Sequence, residues 1–496
     1  MRCASQQKKG VRVVRLTHAV LVATVAASAI GAAARAQSLS LAPAVGHPGI
    51  NVGVSGAGFG KSEAVDVYID TVDSALLVSS ATGGLSGAVV MPASAAPGPH
   101  SITAIGRHSG VAAQSPFTVA TYWAEYGFGA AHSGWNPYEN SLTTATVASL
   151  GQLWSSPQGT NGATPAVVGD TMFVGTVGNG IEALSTSTGA VVWNKVPTEV
   201  FYGSPAVDGA NLYIGASSGV VYALTTLKGN TKWTRAFTTS FTASPVVQGG
   251  VVYIGAENGV FYALQEATGA VLWSYTTGGD IDGSAAVANG MVYFGSGDGN
   301  IYALNAATGA TIWSYNTGTR VESTPAVVNN VVYIGSDNDL VYALDATAGS
   351  LRWSYTTGGS VYANPAVASG TVYVGSADDH MYALDARTGG LRWSLVTGGL
   401  VRSASVAAGV VYFTSSDATF YAVAASSGGV LASAATGPTY FGAPAVADGQ
   451  VYVSGYSNRL FAFAFQAGVD ALHARRQAGA PNPASLRPDL TLSVSR

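Results

Sequence analysis

From residue 151 onward, short apolar runs with a period of two alternate with breaks rich in Gly, Asn and Asp. In the stretch Asn364 to Ser394 the runs read NPAV, TVYVGS, HMYALDA and LRWS, separated by ASG, ADD and RTGG. Runs of this length, rich in Val and Tyr and without a helical period, predict four strands joined by tight turns. The block then recurs. Trp154, Trp193, Trp233, Trp273, Trp313, Trp353 and Trp393 follow one another at intervals of 39, 40, 40, 40, 40 and 40 residues, and Ala432 stands a further 39 on in the same context. Four antiparallel strands in a period near forty predict a β-propeller, one sheet to each repeat. The inner-strand motif occurs at Pro165, Pro205, Pro245, Ala285, Pro325, Pro365, Ala404 and Pro444, which predicts eight blades. The first outer-type strand (151–156) precedes the first inner one, and the last inner set (443–465) lacks an outer strand. Pairing the two closes the ring and removes an open edge. The tryptophans are expected to fill the gaps between neighbouring sheets, and Ala432 to mark the loosest gap.

The remaining chain departs from this beat. Residues 1–36 carry a basic start (Lys8, Lys9, Arg12, Arg15), an apolar Ala-rich run and an Ala34-Arg35-Ala36 cleavage pattern, which together predict a secretory signal peptide. Between 37 and 120, apolar segments at Ile50 to Val54, Val65 to Ile69, Leu85 to Met91, Ser101 to Ile105 and Ser115 to Val119 alternate with Gly, Pro and Ser clusters, predicting a small β-sandwich. Residues 121–150 form a lead-in to the 151–466 repeat region. Residues 467–496 lose the Tyr/Val pattern and read as a disordered tail.

Composition narrows the function classes. Charged residues make up 10% of the 496, with 22 Lys and Arg against 26 Asp and Glu. Six of those basic residues lie before residue 37 with no acid among them, so removing their +6 from the overall −4 leaves −10. An acidic exported chain disfavours nucleic acid and anionic membranes. The single cysteine, Cys3, lies within the signal segment, so signal cleavage leaves no disulfide, thiolate metal ligand or Cys nucleophile. The seven histidines have no metal-ligand spacing, and no Ser-centred elbow or phosphate loop is present.

Several motifs carry a family resemblance. The run from Ala383 to Trp393 (ALDARTGGLRW), with copies at Ala263 to Trp273, Ala303 to Trp313 and Ala343 to Trp353, resembles the tryptophan-docking motif of pyrroloquinoline-quinone (PQQ) type propellers. The stretch Trp123 to Trp154 resembles the lead-in of quinoprotein dehydrogenases, and PGINVGVSGAGFG (48–60) resembles bacterial Ig-like or TIG-like modules. The resemblance implies an all-β chain: an eight-bladed β-propeller preceded by a small Ig-like β-sandwich. It is specific for fold and weak for activity. PQQ dehydrogenases hold their cofactor against a vicinal disulfide, which the mature chain cannot form. The Arg of their lead-in is replaced here by Gly134-Trp135-Asn136.

Candidate chemistry lies where loops enter the inner strands. The residues just before the proline position are Thr164, Ser204, Ser244, Ser284, Thr324, Asn364, Ser403 and Ala443, a small polar rim. Two positions earlier stand Gly162, Tyr202, Thr242, Asp282, Glu322, Tyr362, Val401 and Phe441, the least regular ring of the repeat. Tyr202, Asp282, Glu322, Tyr362, Asn364 and Phe441 are therefore the candidate ligand-binding residues. Asp282, Glu322 and Asn364 are candidate ligands for Ca²⁺, as two carboxylates and an amide oxygen suit a hard cation. The opposing expectation is a solvated acidic rim neutralised by Arg320. Three functions follow: a secreted, monomeric, non-enzymatic scaffold for a protein, cell-surface or small-ligand partner, without cofactor; a divergent PQQ oxidoreductase with Ca²⁺; and an envelope-assembly scaffold of the β-barrel assembly type.

Overall fold

The computed structural model describes residues 37–157, 160, 162–196, 198–436, 442–455 and 459–465. The signal segment, Phe441 and the tail expected over 467–496 lie outside the described residues. The chain divides into two compact units, Met1–Ala120 and Thr121–Arg496.

The first unit holds β1 (Ser38–Ala42), β2 (Val45–Gly46), β3 (Asn51–Ala57), β4 (Ala64–Ile69), β5 (Val72–Val78), β6 (Leu85–Val90), β7 (Gly98–Gly106) and β8 (Ala112–Val119). They form two sheets, ordered β1-β3-β6 and β2-β8-β7-β4-β5. Alternation along each strand sends Val52, Val54 and Val89 from one sheet, and Val65, Val67, Ile102 and Phe117 from the other, into one buried core. The sequence pattern located five of these strands. It missed β1, β2 and β5; β5 packs Ala75 and Leu77 against the core but also carries Val72, Leu76 and Val78 exposed, so its alternation of apolar and polar residues is lost.

The second unit is a β-propeller. Its described residues contain eight sheets of the same plan, the fifth being Ala326–Val328, Val331–Gly335, Leu340–Asp345 and Leu351–Thr356 in consecutive antiparallel order. The innermost strand of each sheet touches that of the next, and Ala445–Ala447 of the last touches Ala166–Val168 of the first. The seam lies in one sheet, where Leu150–Ser156 pairs antiparallel with Arg459–Phe465. The ends of the repeat region are thereby held by backbone hydrogen bonds.

Neighbouring sheets are joined by a repeated clamp. Trp313 Nε1 donates to the Ala346 carbonyl of the following sheet at 2.9 Å, and the Tyr293 hydroxyl donates to the same oxygen at 3.1 Å. Tyr253 with Trp273, Tyr333 with Trp353 and Tyr373 with Trp393 converge in the same way on Ala306, Ala386 and Ala425. Trp154, Trp193 and Trp233 reach the carbonyls of Thr186, Thr226 and Glu266. Each indole lies on a glycine of the following sheet. Gly349 has φ +68°, and a Cβ there would stand 2.6 Å from the Trp313 ring, so both the backbone conformation and the close approach exclude a side chain.

The interface at Ala432 is filled by other residues. No indole is present, but Leu142 and Val147 of the lead-in are fully buried beside Ala432 and Leu431. The Tyr412 hydroxyl finds the Leu142 carbonyl at 3.1 Å instead of one in the next sheet. The lead-in thus supplies the apolar volume that tryptophan supplies elsewhere.

Trp313→Ala is expected to lower unfolding free energy by about 3–5 kcal/mol through the cavity it leaves. Gly349→Ala is expected to cost about 1–3 kcal/mol from backbone strain, before the clash with the indole is added. Urea titration of both variants measures this; a loss below 1 kcal/mol for either contradicts the clamp.

Candidate functional site

Strand order defines two faces. The loops that leave an outer strand and enter the next inner strand lie on one face, here the upper, together with the turns between second and third strands. The other turns lie on the lower face.

Just below the upper face the small polar residues form a circular relay. The Thr164 N–H donates to Ser204 Oγ, Ser204 N–H to Ser244 Oγ, Ser244 N–H to Ser284 Oγ and Ser284 N–H to Thr324 Oγ1, all at 2.8–2.9 Å. Thr324 N–H continues to Asn364 Oδ1 at 2.6 Å, and Asn364 N–H to Ser403 Oγ at 2.9 Å. Ala443 has no acceptor side chain, and there Thr164 Oγ1 donates to the Ala443 carbonyl at 2.8 Å. Loop N–H groups turned toward a narrow axis need acceptors, and a short hydroxyl from the next repeat supplies them.

Deeper in the channel, residues 121–136 form a collar that meets every inner strand. Trp123 exchanges two backbone hydrogen bonds with Val167. Val207, Val287, Val327, Val367 and Val406 donate their N–H groups to the carbonyls of Ala124, Ala130, Ala131, Ser133 and Gly134 at 2.6–2.9 Å. Val247 N–H instead faces Glu125 Oε2 at 3.4 Å, and Asn136 Nδ2 donates to the Val446 carbonyl at 2.8 Å. The collar curls tightly because Gly127, Phe128, Gly129, His132 and Gly134 all have positive φ. A Cβ on Gly134 would lie 2.7 Å from that of Ala366. Burial pushes the Glu125 carboxyl up to about 8, so it is a neutral acid at pH 7.

Between collar and relay lies a small cavity lined by Tyr126, His132, Thr324, Asn364 and Ser403. His132 is 3% exposed and neither ring nitrogen has a protein partner. Burial holds its pKa down to about 3. Tyr126 lies edge-on to the imidazole, with ring centroids 5.6 Å apart, and its hydroxyl meets the Asn364 amide.

The structure places the sequence-nominated residues as follows. Asp282 and Glu322 converge, but on Arg320, which also holds Asp280 at 2.5 Å. The Glu322 Oε1 to Arg320 Nε separation is 2.8 Å. Burial raises the Glu322 pKa, with Arg320 pulling the other way. Asn364 is one layer deeper, its Oδ1 taken by Thr324 N–H and its Nδ2 by Tyr126. Tyr202 is 42% exposed and Tyr362 half-buried. Three of the nearby acids are structural: Asp298, Asp378 and Asp417 each accept the hydroxyl of Tyr302, Tyr382 or Tyr421 and the N–H of Gly278, Gly358 or Gly398. Sequence reasoning missed Tyr126 and the collar itself. The available signal was the Gly/Ala-rich run GFGAAHSG, which fits neither a strand nor a repeat. Among the described residues no group of three His, Cys, Asp or Glu is arranged to hold a metal ion. Among them too, no helix is long and apolar enough to cross a membrane.

Comparison with known proteins gives a consistent picture. The family profile described as outer membrane protein assembly factor BamB matches residues 140–238, 219–321 and 297–496. No curated protein matches the chain. BamB from Moraxella catarrhalis superposes with a TM-score of 0.56 at 21% identity, over 64% of this chain and 98% of that one. Quinohemoprotein alcohol dehydrogenase from Comamonas testosteroni gives 0.61 at 18% identity over 69% and 80%. A europium-containing methanol dehydrogenase gives 0.61 at 16% over 69% and 98%. At these identities the likeness is one of fold.

Two outcomes are expected. Ser284→Ala leaves the buried Ser244 N–H without its acceptor and should cost about 1–3 kcal/mol in urea denaturation. His132 should stay neutral from pH 8 to pH 4 by ¹⁵N chemical shift. Its folded pKa lies below the unfolded value, so its contribution is present above about pH 6.5 and is lost as pH falls toward 3. A His132 titration near 6.5 contradicts this.

Proposed function

The chain belongs to the outer membrane protein assembly factor BamB family, and from that premise we propose that it is an exported, non-enzymatic scaffold acting in the cell envelope. Its eight-bladed PQQ-like propeller would present the upper face to a protein partner, with the Ig-like sandwich of residues 37–120 as a spacer. Export rests on the basic, apolar and Ala-x-Ala order of residues 1–36. The observation that carries the reading is the collar. It engages the inner strand of every sheet from within, so contact along the axis is left to the upper face, where the repeat is least regular. Tyr202 and the Arg320 cluster supply an exposed aromatic ring and fixed charge there, the residue types that anchor protein interfaces.

The second reading, a PQQ oxidoreductase with Ca²⁺, is favoured by the quinoprotein fold neighbours. The residues present fit it poorly. Arg320 engages both Asp282 and Glu322, Thr324 N–H engages the Asn364 oxygen, and Tyr126 with His132 fills the channel beneath. A calcium ion at this position would have to displace a guanidinium.

A photo-crosslinking side chain at Tyr202, on the upper face, is compared with one at Leu227, exposed in a lower-face turn. In intact envelopes the scaffold reading expects a discrete protein adduct from position 202 and none from 227. Equal labelling, or none at 202, removes it. In parallel, PQQ with Ca²⁺ is titrated into the purified chain in a dye-reduction assay. Scaffold function expects no turnover, and PQQ-dependent reduction would establish the second reading.

A further inference from the structure

The two ends of the collar meet at the last sheet. Asn136 Nδ2 donates to the Thr121 carbonyl at 3.1 Å as well as to Val446. The Thr121 hydroxyl lies 3.1 Å from Glu139 Oε2 and 3.3 Å from Asp448 Oδ1. It also accepts the Asp448 N–H at 2.8 Å, while Thr121 N–H donates to Asp448 Oδ1 at 2.6 Å. One hydroxyl proton therefore stands before two carboxyl groups and can answer only one.

The two carboxyl groups are not equivalent. Glu139, 2% exposed, accepts from Ser141 N–H and Oγ–H and from Leu142 N–H on one oxygen, and from Gly449 N–H on the other. Among the described residues Asp448 receives donors only from Thr121, and it sits in a turn at φ +50°. No ion pair among the described residues involves either group.

We propose that Thr121, Glu139 and Asp448 form a proton-controlled clasp that fastens the collar to the last sheet when Asp448 is protonated and loosens it when Asp448 is charged. The groups facing Asp448 are Glu139 and Thr121 of the collar segment, Tyr122 beside them, Asp170 in the first turn of the first sheet, and Tyr452 of its own sheet. Tyr412 of the seventh sheet faces Glu139. None of these is a cation. Burial is the largest influence on Asp448 and brings its pKa to about 7, with the Glu139 and Asp170 charges acting in the same direction against the Thr121 hydrogen bonds. The folded value lies above the unfolded one. The stabilisation is therefore complete below about pH 3.8 and is lost as pH rises through 7.

The test is hydrogen exchange on the whole chain, read as protection factors so that base catalysis of exchange is removed, from pH 5.5 to 8.5. Protection of the Thr121 and Gly449 amides should fall at least ten-fold across the range. Asp448→Asn keeps an acceptor without the charge and should hold protection high and flat. Glu125→Gln removes the buried acid of the collar and should leave the fall at Thr121 and Gly449 in place. Protection independent of pH in the native chain, or the same fall in Asp448→Asn, overturns the clasp. Should Asp448→Asn not fold, the native protein still decides by ¹³C titration of its carboxyl groups. A value for Asp448 of about 6 or above supports the proposal, and a lower one overturns it.

Discussion

A four-stranded sheet of this kind cannot stand alone. It has two open edges and two apolar faces, and everything else in the second unit answers those four demands. The faces are answered sideways. Each indole lies flat on a glycine of the next sheet and donates its N–H to a carbonyl there, with a tyrosine hydroxyl on the same oxygen in four cases. The clamp is directional, since each donor indole reaches a carbonyl of the next sheet around the ring, Trp154 of the last sheet reaching Thr186 of the first. A chain of such contacts has to close on itself or leave a terminal sheet uncovered. Pairing Leu150–Ser156 with Arg459–Phe465 settles this by giving the last sheet its outer strand, and with it Trp154.

The inner edges pose a different problem. Eight three-residue strands turn their free hydrogen-bonding groups toward one axis, where side chains crowd and water is scarce. Buried peptide groups without partners are costly. The chain meets the demand at two levels, with small side chains in the relay and with its own backbone in the collar. The second solution has a functional price, because a channel filled by backbone is poorly suited to a large planar cofactor. The same fold in other proteins serves redox chemistry, so specialisation toward binding, as proposed, would rest on what fills the axis and not on the sheets.

Much of this architecture was legible in the sequence. Trp spacing and the eight inner-strand motifs located every sheet, and the small polar residues before the proline position were placed at the channel rim. Asp282 and Glu322 were expected to converge and do, but the spacing could not reveal that Arg320 stands between them. The collar was not legible, because it works through carbonyls of Gly, Ala and Ser whose side chains show no period. The clasp joins residues 327 and 310 positions apart, and no local pattern links Thr121 or Glu139 to Asp448. In the first unit β5 escaped notice for a different reason: Val72, Leu76 and Val78 are exposed while Ala75 and Leu77 face the core, so apolar residues on both faces hide the alternation.

The departures from the repeat cluster at the seam. Ala432 replaces the indole, Ala443 interrupts the relay, and Asp448 places a carboxyl group beside Glu139, all within the last two sheets. Seven interfaces built alike would make the eighth equally rigid were it a simple copy. Here the lead-in substitutes at two of these points: Leu142 and Val147 for the missing indole, and Thr121 with Glu139 as partners for Asp448. The seam thus depends on a segment outside the repeat, so the integrity of the ring is tied to the placement of residues 121–149. Repetition accounts for the stiffness of the other interfaces. The non-repeating segment is where a change of conditions can act on the ring, since it alone combines buried ionisable groups with contacts to every sheet.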